Sequence, residues 1–193
     1  MSQVAFYGLA VNRVALIALV LALVLTGCGE RKAEVSKPTK FVHGRVSFDY
    51  PGNWEVTTDE VVDDFHVFML ETPGEAFVYL TAFEVEEGEA SLRDEAKEFS
   101  KELELDVALV KSGESTMADE EARNGFERIR ERMTFSVLGE KIVQERLHAG
   151  KTIAGLRVYL VVHAVGEDFA KVEPGFDLIL DTFEVLPAEP ATE

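Results

Sequence analysis

The feature that most limits the fold is an alternation of apolar and polar residues, which recurs along short segments from residue 41 onward. The segment 46–50 (VSFDY) alternates as a strand with one buried face does. The segment 77–85 is apolar on both faces, which predicts a central strand covered on both sides. Further strands are predicted at 54–56, 65–70, 106–110, 126–137, 141–148 and 156–165.

Two segments follow a helical period instead. Ser91 is a suitable cap for a helix over 91–104, and Pro174 suits the first turn of a helix over 174–183. We expect these helices to lay Phe99 and Phe176 onto the sheet. The segment 126–137 fits either period, and we assign it to a strand because β-rich segments flank it. The turn candidates are Asn124-Gly125 and Gly139-Glu140.

These patterns predict an α+β fold, with a mostly antiparallel central sheet flanked by helices. The length of 193 residues is that of one ordinary domain with appendages. Acidic residues number 36 against 19 Lys and Arg, a formal net charge of -17. A chain this acidic is repelled by nucleic-acid phosphates, so we expect no nucleic-acid partner. The same charge opposes self-association and predicts a monomer.

The N-terminus carries the pattern of a processing signal. Residues 14–25 are apolar without a break, and as a helix they would span about 18 Å of a bilayer core about 30 Å thick. This length is typical of a signal peptide. The sequence Leu25-Thr26-Gly27-Cys28 that follows resembles the bacterial lipobox and holds the single cysteine of the chain. A free or buried cysteine is the alternative interpretation.

The lipobox resemblance implies cleavage after residue 27 and acylation of Cys28, including palmitate on its sulfur. It also implies a cell-envelope location, with the outer membrane favoured over the inner one because Gly29 follows the cysteine. We therefore predict a signal peptide over 1–27, a lipidated cysteine and flexible tether over 28–40, a folded domain over 41–186, and a disordered tail over 187–193. The tether carries four basic and two acidic residues, and either contacts lipid headgroups or acts as a plain linker.

The order of elements resembles the PsbP-like family. The resemblance rests on Phe48-Asp49-Tyr50-Pro51 followed by Trp54, on Asn124-Gly125 before long strands, on the segment 158–162, and on the ending 176–185. The family includes an extrinsic photosystem II subunit, a Ran-binding nuclear import factor and bacterial lipoproteins without assigned roles. It implies an α/β/α sandwich over about 41–186 and an accessory role, and it carries no catalytic motif.

The residues suited to chemistry form no recognisable catalytic or metal-binding motif. His43, His66, His148 and His163 lack the spacing of a helical metal site, and we interpret His66 and His163 as satisfied or half-exposed strand histidines. The acidic cluster Asp59, Glu60, Asp63 and Asp64 is either a solvated loop or a calcium site. We expect no enzyme activity, no cofactor and no bound metal.

Arg128, Arg130 and Arg132 would share one face of a strand. They form either a patch for an acidic partner, a glycan or a lipid headgroup, or ion pairs with acids on neighbouring strands. Two functions stay open for the whole chain. The first is a non-catalytic binding or assembly module that docks a protein partner in the envelope. The second is a carrier of a small ligand or metal ion, with a pocket between sheet and helix.

Overall fold

The alternating segments form two antiparallel sheets in the computed structural model, which describes residues 32–62, 65–74, 76–85, 91–102, 110–137 and 139–187. The strands are β1 (Pro38–His43), β2 (Val46–Pro51), β3 (Glu55–Val62), β4 (Phe65–Glu71), β5 (Ala76–Glu84), β6 (Val110–Arg123), β7 (Phe126–Val137), β8 (Glu140–Ile153), β9 (Leu156–Val165) and β10 (Glu184–Val185). The helices are α1 (Leu92–Glu102) and α2 (Phe169–Thr182).

The larger sheet has seven strands in the order β3-β4-β5-β9-β8-β7-β6, and the smaller sheet has the order β1-β2-β10. Every strand pair is antiparallel. Helix α2 and the small sheet pack on one face of the large sheet, and α1 packs on the other. The predicted α+β class, with helices flanking an antiparallel sheet, is therefore confirmed.

The main core lies between the large sheet, α2 and the small sheet. Phe176 is fully buried there. A Cβ added at Gly175 would lie 2.4 Å from Trp54 Cζ2, so α2 approaches Trp54 at a point where only glycine fits. On the other face Phe99 packs against Tyr79 and Tyr159. Both predicted helix contacts with the sheet are confirmed.

Two strand connections have the tight turns of β-hairpins. Asn124 and Gly125 have φ values of 48° and 77°, and Ala154 and Gly155 have 51° and 79°. Positive φ at both central residues is the requirement of a type I′ turn, which matches the twist of the flanking strands. The sequence predicted the first of these turns and missed the second, because alanine is uncommon at positive φ.

The predicted boundary between tether and domain at residue 40 is wrong. Strand β1 begins at Pro38, and the segment before it is bonded to the domain: Ala33 N donates to Lys171 O at 3.0 Å, and Glu34 N donates to Asn53 Oδ1 at 2.8 Å. Pro38 is tolerated because it is the first residue of an edge strand. The remaining tether residues, 28–31, lie outside the described residues, as do 1–27 and 188–193.

Two further predictions are corrected. Helix α2 begins at Phe169, so Pro174 lies inside the helix and not in its first turn. Strand β6 runs over Val110–Arg123, whereas the sequence predicted only 106–110, of which 106–109 lie outside the described residues. Two register shifts interrupt β6, so its side chains do not keep a simple alternation. Along the part of the chain that the structure describes, no helix is long and apolar enough to cross a membrane.

Candidate functional site

A network of ionisable side chains is buried between α1 and strands β7–β9. Glu131 on β7 faces Arg146 on β8, which faces His163 on β9 in the same row across the sheet. His148 lies two residues beyond Arg146 and therefore projects from the same face. Only 1% of Glu131 and 2% of Arg146 is exposed, and His148 is fully buried. The sheet register thus brings together groups that are far apart in the sequence.

Glu131 is the centre of this network. Its Oε2 accepts hydrogen bonds from Ser100 Oγ on α1 at 2.6 Å and from Arg146 Nη1 at 3.3 Å, and it lies 3.2 Å from His148 Nε2. Its Oε1 accepts a hydrogen bond from Ser115 Oγ on β6 at 2.7 Å. A buried carboxylate is stable only when it is paired and hydrogen-bonded in this way. The four partners therefore allow Glu131 to remain charged beneath α1.

The protonation states follow from these partners. Burial raises the pKa of Glu131, but the hydrogen bonds from His148, Ser100 and Ser115 and the charge of Arg146 outweigh it and hold this pKa at about 2. Burial lowers the pKa of His148. The hydrogen bond to Glu131 and its charge raise this pKa, and the charge of Arg146 lowers it, so the pKa stays below its usual value. The carboxylate is therefore ionised and the imidazole neutral near neutral pH.

The second histidine of the network is neutral as well. Burial, followed by the charge of Arg146, lowers the pKa of His163 to about 4. Arg146 Nε donates to His163 Nδ1 at 3.0 Å, so this nitrogen is the acceptor and the other ring nitrogen carries the proton. Phe77 stacks on the same imidazole, with 4.9 Å between ring centroids. His163 is thus a satisfied strand histidine, as the sequence predicted.

A chain of hydrogen bonds runs from Tyr159 through His148 to Glu131. Burial raises the pKa of Tyr159, so its hydroxyl keeps its proton and donates to His148 Nδ1, 2.7 Å away. The neutral imidazole then donates from Nε2 to the carboxylate. Every group in this chain has a partner inside the protein, and α1 covers it. The arrangement stabilises the joint between helix and sheet, and offers a substrate no open access.

The arginine stripe lies on the opposite face of β7, toward α2. Arg130 bonds to Glu120 and, at 2.5 Å, to Glu173 on α2. Arg128 lies 3.0 Å from Glu120 and 3.8 Å from Asp177. Burial lowers the pKa of Arg130, but its bonds to Glu120 and Glu173 outweigh this and raise the pKa above its usual value.

Two of the three predicted patch residues are therefore used in ion pairs that join α2 to the sheet. The guanidinium of Arg130 also lies over the Phe169 ring, 4.4 Å from its centroid. Arg132 is exposed, and among the described residues it makes no side-chain ion pair. The cross-strand interpretation holds for Arg128 and Arg130, and Arg132 alone is left for an outside partner.

Two open clefts flank Arg45, at the turn between β1 and β2. Their volumes are about 510 Å³ and 430 Å³, and Arg45 and Glu84 line both. The larger one is also lined by Val61, Phe83 and His66. His66 is half-buried, as the sequence predicted, but its buried Nδ1 has no hydrogen-bond partner among the described residues. These clefts lie at one end of the large sheet, not between sheet and helix as the carrier hypothesis expected.

Among the described residues, no three His, Cys, Asp or Glu side chains are grouped so that they could hold a metal ion. Asp59 and Glu60 of the acidic cluster lie on strand β3 and not in a loop as predicted, Asp59 is 2.7 Å from His43 Nδ1, and Asp63 and Asp64 lie outside the described residues. The lipobox residues Leu25, Thr26, Gly27 and Cys28 also lie outside them, so their role stays a prediction.

No protein-family model matches the chain, and no curated protein matches it. Among solved structures, the chain is similar to the cyanobacterial PsbP protein CyanoP from Synechocystis sp. PCC 6803. The two sequences are 13% identical, the match covers 82% of this chain and 95% of that chain, and the TM-score is 0.49. It is also similar to LpqN of Mycobacterium tuberculosis, a protein involved in cell envelope biogenesis, with 11% identity, coverage of 78% and 91%, and a TM-score of 0.42.

A third similar structure comes from Bacteroides thetaiotaomicron, with 14% identity, coverage of 77% of this chain and 48% of that chain, and a TM-score of 0.46. Identities this low transfer no activity, substrate or partner from these proteins to this chain.

Proposed function

We propose that this chain is a lipid-anchored protein of the cell envelope that acts as a non-catalytic binding or accessory module. Cys28 would carry the acyl chains, and the domain would act by docking a protein partner. The lipobox-like sequence at 25–28 supports the anchor, because the single cysteine follows a signal-peptide-like apolar run. Several acyl chains hold a protein durably, since each buried CH₂ contributes about 0.8 kcal/mol.

The observation that carries the non-catalytic assignment is the closed network around Glu131. Catalytic acids and bases must reach a substrate, directly or through one water molecule. Glu131, Arg146 and His148 instead direct their hydrogen bonds to one another and to Ser100 and Ser115 beneath α1. This supports a role in holding the fold together.

The first described residues and the clefts at Arg45 lie toward opposite ends of α2. The chain enters beside the first turn of α2, where Ala33 bonds to Lys171. The clefts at Arg45 lie near the other end of α2, because Leu186, just past this helix, donates from its backbone N to Arg45 O at 2.7 Å. The helix has 14 residues, so the two ends are about 20 Å apart.

A second candidate function is small-ligand binding. The cleft of about 510 Å³ at Arg45 favours it, because it combines apolar walls with an imidazole nitrogen that has no partner among the described residues. The two candidates are separable, since a ligand carrier needs a bound molecule in the purified protein and a docking module needs a protein neighbour.

The anchor is tested by replacing the cysteine. In cells fed radiolabelled palmitate, Cys28→Ala should abolish labelling and move the protein out of the detergent phase. Thr26→Ala keeps a small residue before Gly27 and should be labelled like the wild type. Equal labelling of Cys28→Ala and the wild type would exclude the anchor.

A further inference from the structure

Charge is divided unevenly between the two halves of the large sheet. Residues 46–92 contain no Lys or Arg, and strands β3, β4 and β5 all lie within this stretch. The acids of the same stretch are Asp49, Glu55, Asp59, Glu60, Asp63, Asp64, Glu71, Glu75, Glu84, Glu86, Glu87 and Glu89. The arginines of the sheet lie instead on β6–β9. The β3–β5 half is therefore anionic, with no cationic side chain of its own.

This half also carries an apolar surface on the side of α1. Helix α1 contacts mainly β7 and β8, and none of the described helices makes extensive contact with β3 or β4. Phe65 on β4 is 43% exposed, and its ring lies 4.6 Å from that of Phe83 on β5. We call this surface the β4–β5 face, and its apolar residues are Phe65, Val67, Met69, Phe77, Tyr79 and Phe83. Apart from Phe65, these residues are half-buried.

Carboxylates border the β4–β5 face along β3 and β4. Glu55 pairs directly with Glu71 across the two strands, and Glu60 pairs with Val67, so these side chains project from the same face as the apolar residues. All three acids are exposed. Like charges directly opposite each other destabilise a sheet. A cation placed between Glu55 and Glu71 would remove that repulsion, and the chain supplies none from β3–β5.

The β4–β5 face has the dimensions of a helix-binding site. From the row of Phe77 to the row of Phe83 the strand advances six residues, about 20 Å, which is the length of a helix of about 13 residues. The β4–β5 pair is three strand spacings from the β7–β8 pair that α1 contacts, about 14 Å. Packed helices lie about 8–10 Å apart, so a second helix over β4–β5 would fit beside α1 without overlapping it.

We propose that the β4–β5 face binds an amphipathic helix of a protein partner, with an apolar stripe flanked by Lys or Arg. The apolar stripe would cover Phe65, Val67 and Met69, and the basic residues would pair with Glu55, Glu60 and Glu71. The inference rests on the proposed function in that it names the chemistry of the docked partner. It does not depend on how the chain is anchored.

The test uses the full chain in nanodiscs of neutral phosphatidylcholine and a fluorescent 14-residue helical peptide of Leu and Lys in amphipathic order. We expect anisotropy to show saturable binding after subtraction of empty nanodiscs. The double variant Glu60→Lys/Glu71→Lys should weaken binding about tenfold or more. The matched control, Glu98→Lys/Glu121→Lys, makes the same change of net charge at exposed positions on α1 and β6 and should stay within twofold of the wild type.

The same variants distinguish a specific helix site from a general effect of charge and from self-association. Thermal unfolding confirms that each variant is folded, and Phe65→Ser, which removes the ring contact with Phe83, should weaken binding while the domain stays folded. An equal loss of peptide binding in both double variants would show that binding depends only on net charge and would overturn the proposal. Unchanged binding in Glu60→Lys/Glu71→Lys would overturn it as well. A dimer in light scattering that Phe65→Ser dissociates would assign the face to a second copy and also overturn it. Equal palmitate labelling of Cys28→Ala and the wild type would reject the anchor alone and leave this result standing.

Discussion

At the scale of single residues, the buried ionisable side chains lie where the register of the sheet supplies their hydrogen-bond partners. Glu131, Arg146 and His163 come from three adjacent strands and form one row beneath α1. Their mutual hydrogen bonds offset the cost of removing two charges and an imidazole from water. The result is a dependence on pH, because the lowered pKa values of Glu131 and of both histidines affect stability in the same direction.

We predict that the free energy of unfolding falls as pH decreases from about 6.5 to 4. The pKa of His163 is about 4 in the folded chain against 6.5 ordinarily, so the unfolded chain binds more protons in this window. At about 1.4 kcal/mol per unit, this shift corresponds to a loss of roughly 3 kcal/mol. The lowered pKa of His148 acts in the same direction, and that of Glu131, about 2, extends the loss below pH 4.5.

Urea unfolding at several pH values checks this prediction. His163→Gln retains an acceptor for Arg146 Nε but does not titrate, so its stability should fall less steeply than that of the wild type between pH 6.5 and 4. A variant with the slope of the wild type would show that another group causes the acid sensitivity.

At the scale of elements, the arginine stripe joins α2 to the large sheet. We predict that Arg130→Glu destabilises the domain by about 3 kcal/mol or more, because it places a carboxylate among Glu120, Glu145 and Glu173 and removes the contact with Phe169. Arg132→Glu makes the same change of charge two residues away on the same face. It should leave the urea midpoint almost unchanged, and equal losses in the two variants would show that the ion pairs with α2 contribute nothing.

The elements that the sequence predicts well are those with one clear period and one buried face. Strand β9 and the helix contacts of Phe99 and Phe176 follow from apolar spacing alone. Strand β1 was missed because it is an edge strand whose Val42 is exposed, so its alternation is weak. Strand β6 was predicted only at its first residue, Val110, because register shifts break the alternation of the rest.

The candidate sites are less predictable than the elements, because they depend on which strands are neighbours. The spacing of Glu131, Arg146 and His163 matches no local motif, and only the order β9-β8-β7 brings them into one row. The pairing of Glu55 with Glu71 likewise needs the register of β3 on β4. The absence of Lys and Arg from residues 46–92 is the one signal of the β4–β5 face that the sequence shows directly.

At the scale of the whole molecule, three regions of the domain have different structural roles. Ala33, near the start of the described residues, bonds to Lys171 in the first turn of α2 and ties this segment to the domain. The arginine stripe and the Glu131 network hold one helix on each face of β6–β9. The β3–β5 half keeps an apolar face bordered by carboxylates, the face that we propose docks a basic partner.

The most direct test of the central claim, that this module acts by docking a protein partner, is site-specific photo-crosslinking in living cells. A photoreactive phenylalanine at position 65 should yield a light-dependent adduct with one envelope protein, and Glu60→Lys/Glu71→Lys should abolish that adduct. The same photoreactive residue at position 121, exposed on β6, should not yield it. The absence of any adduct from position 65, or the same adduct from both positions, would contradict the claim.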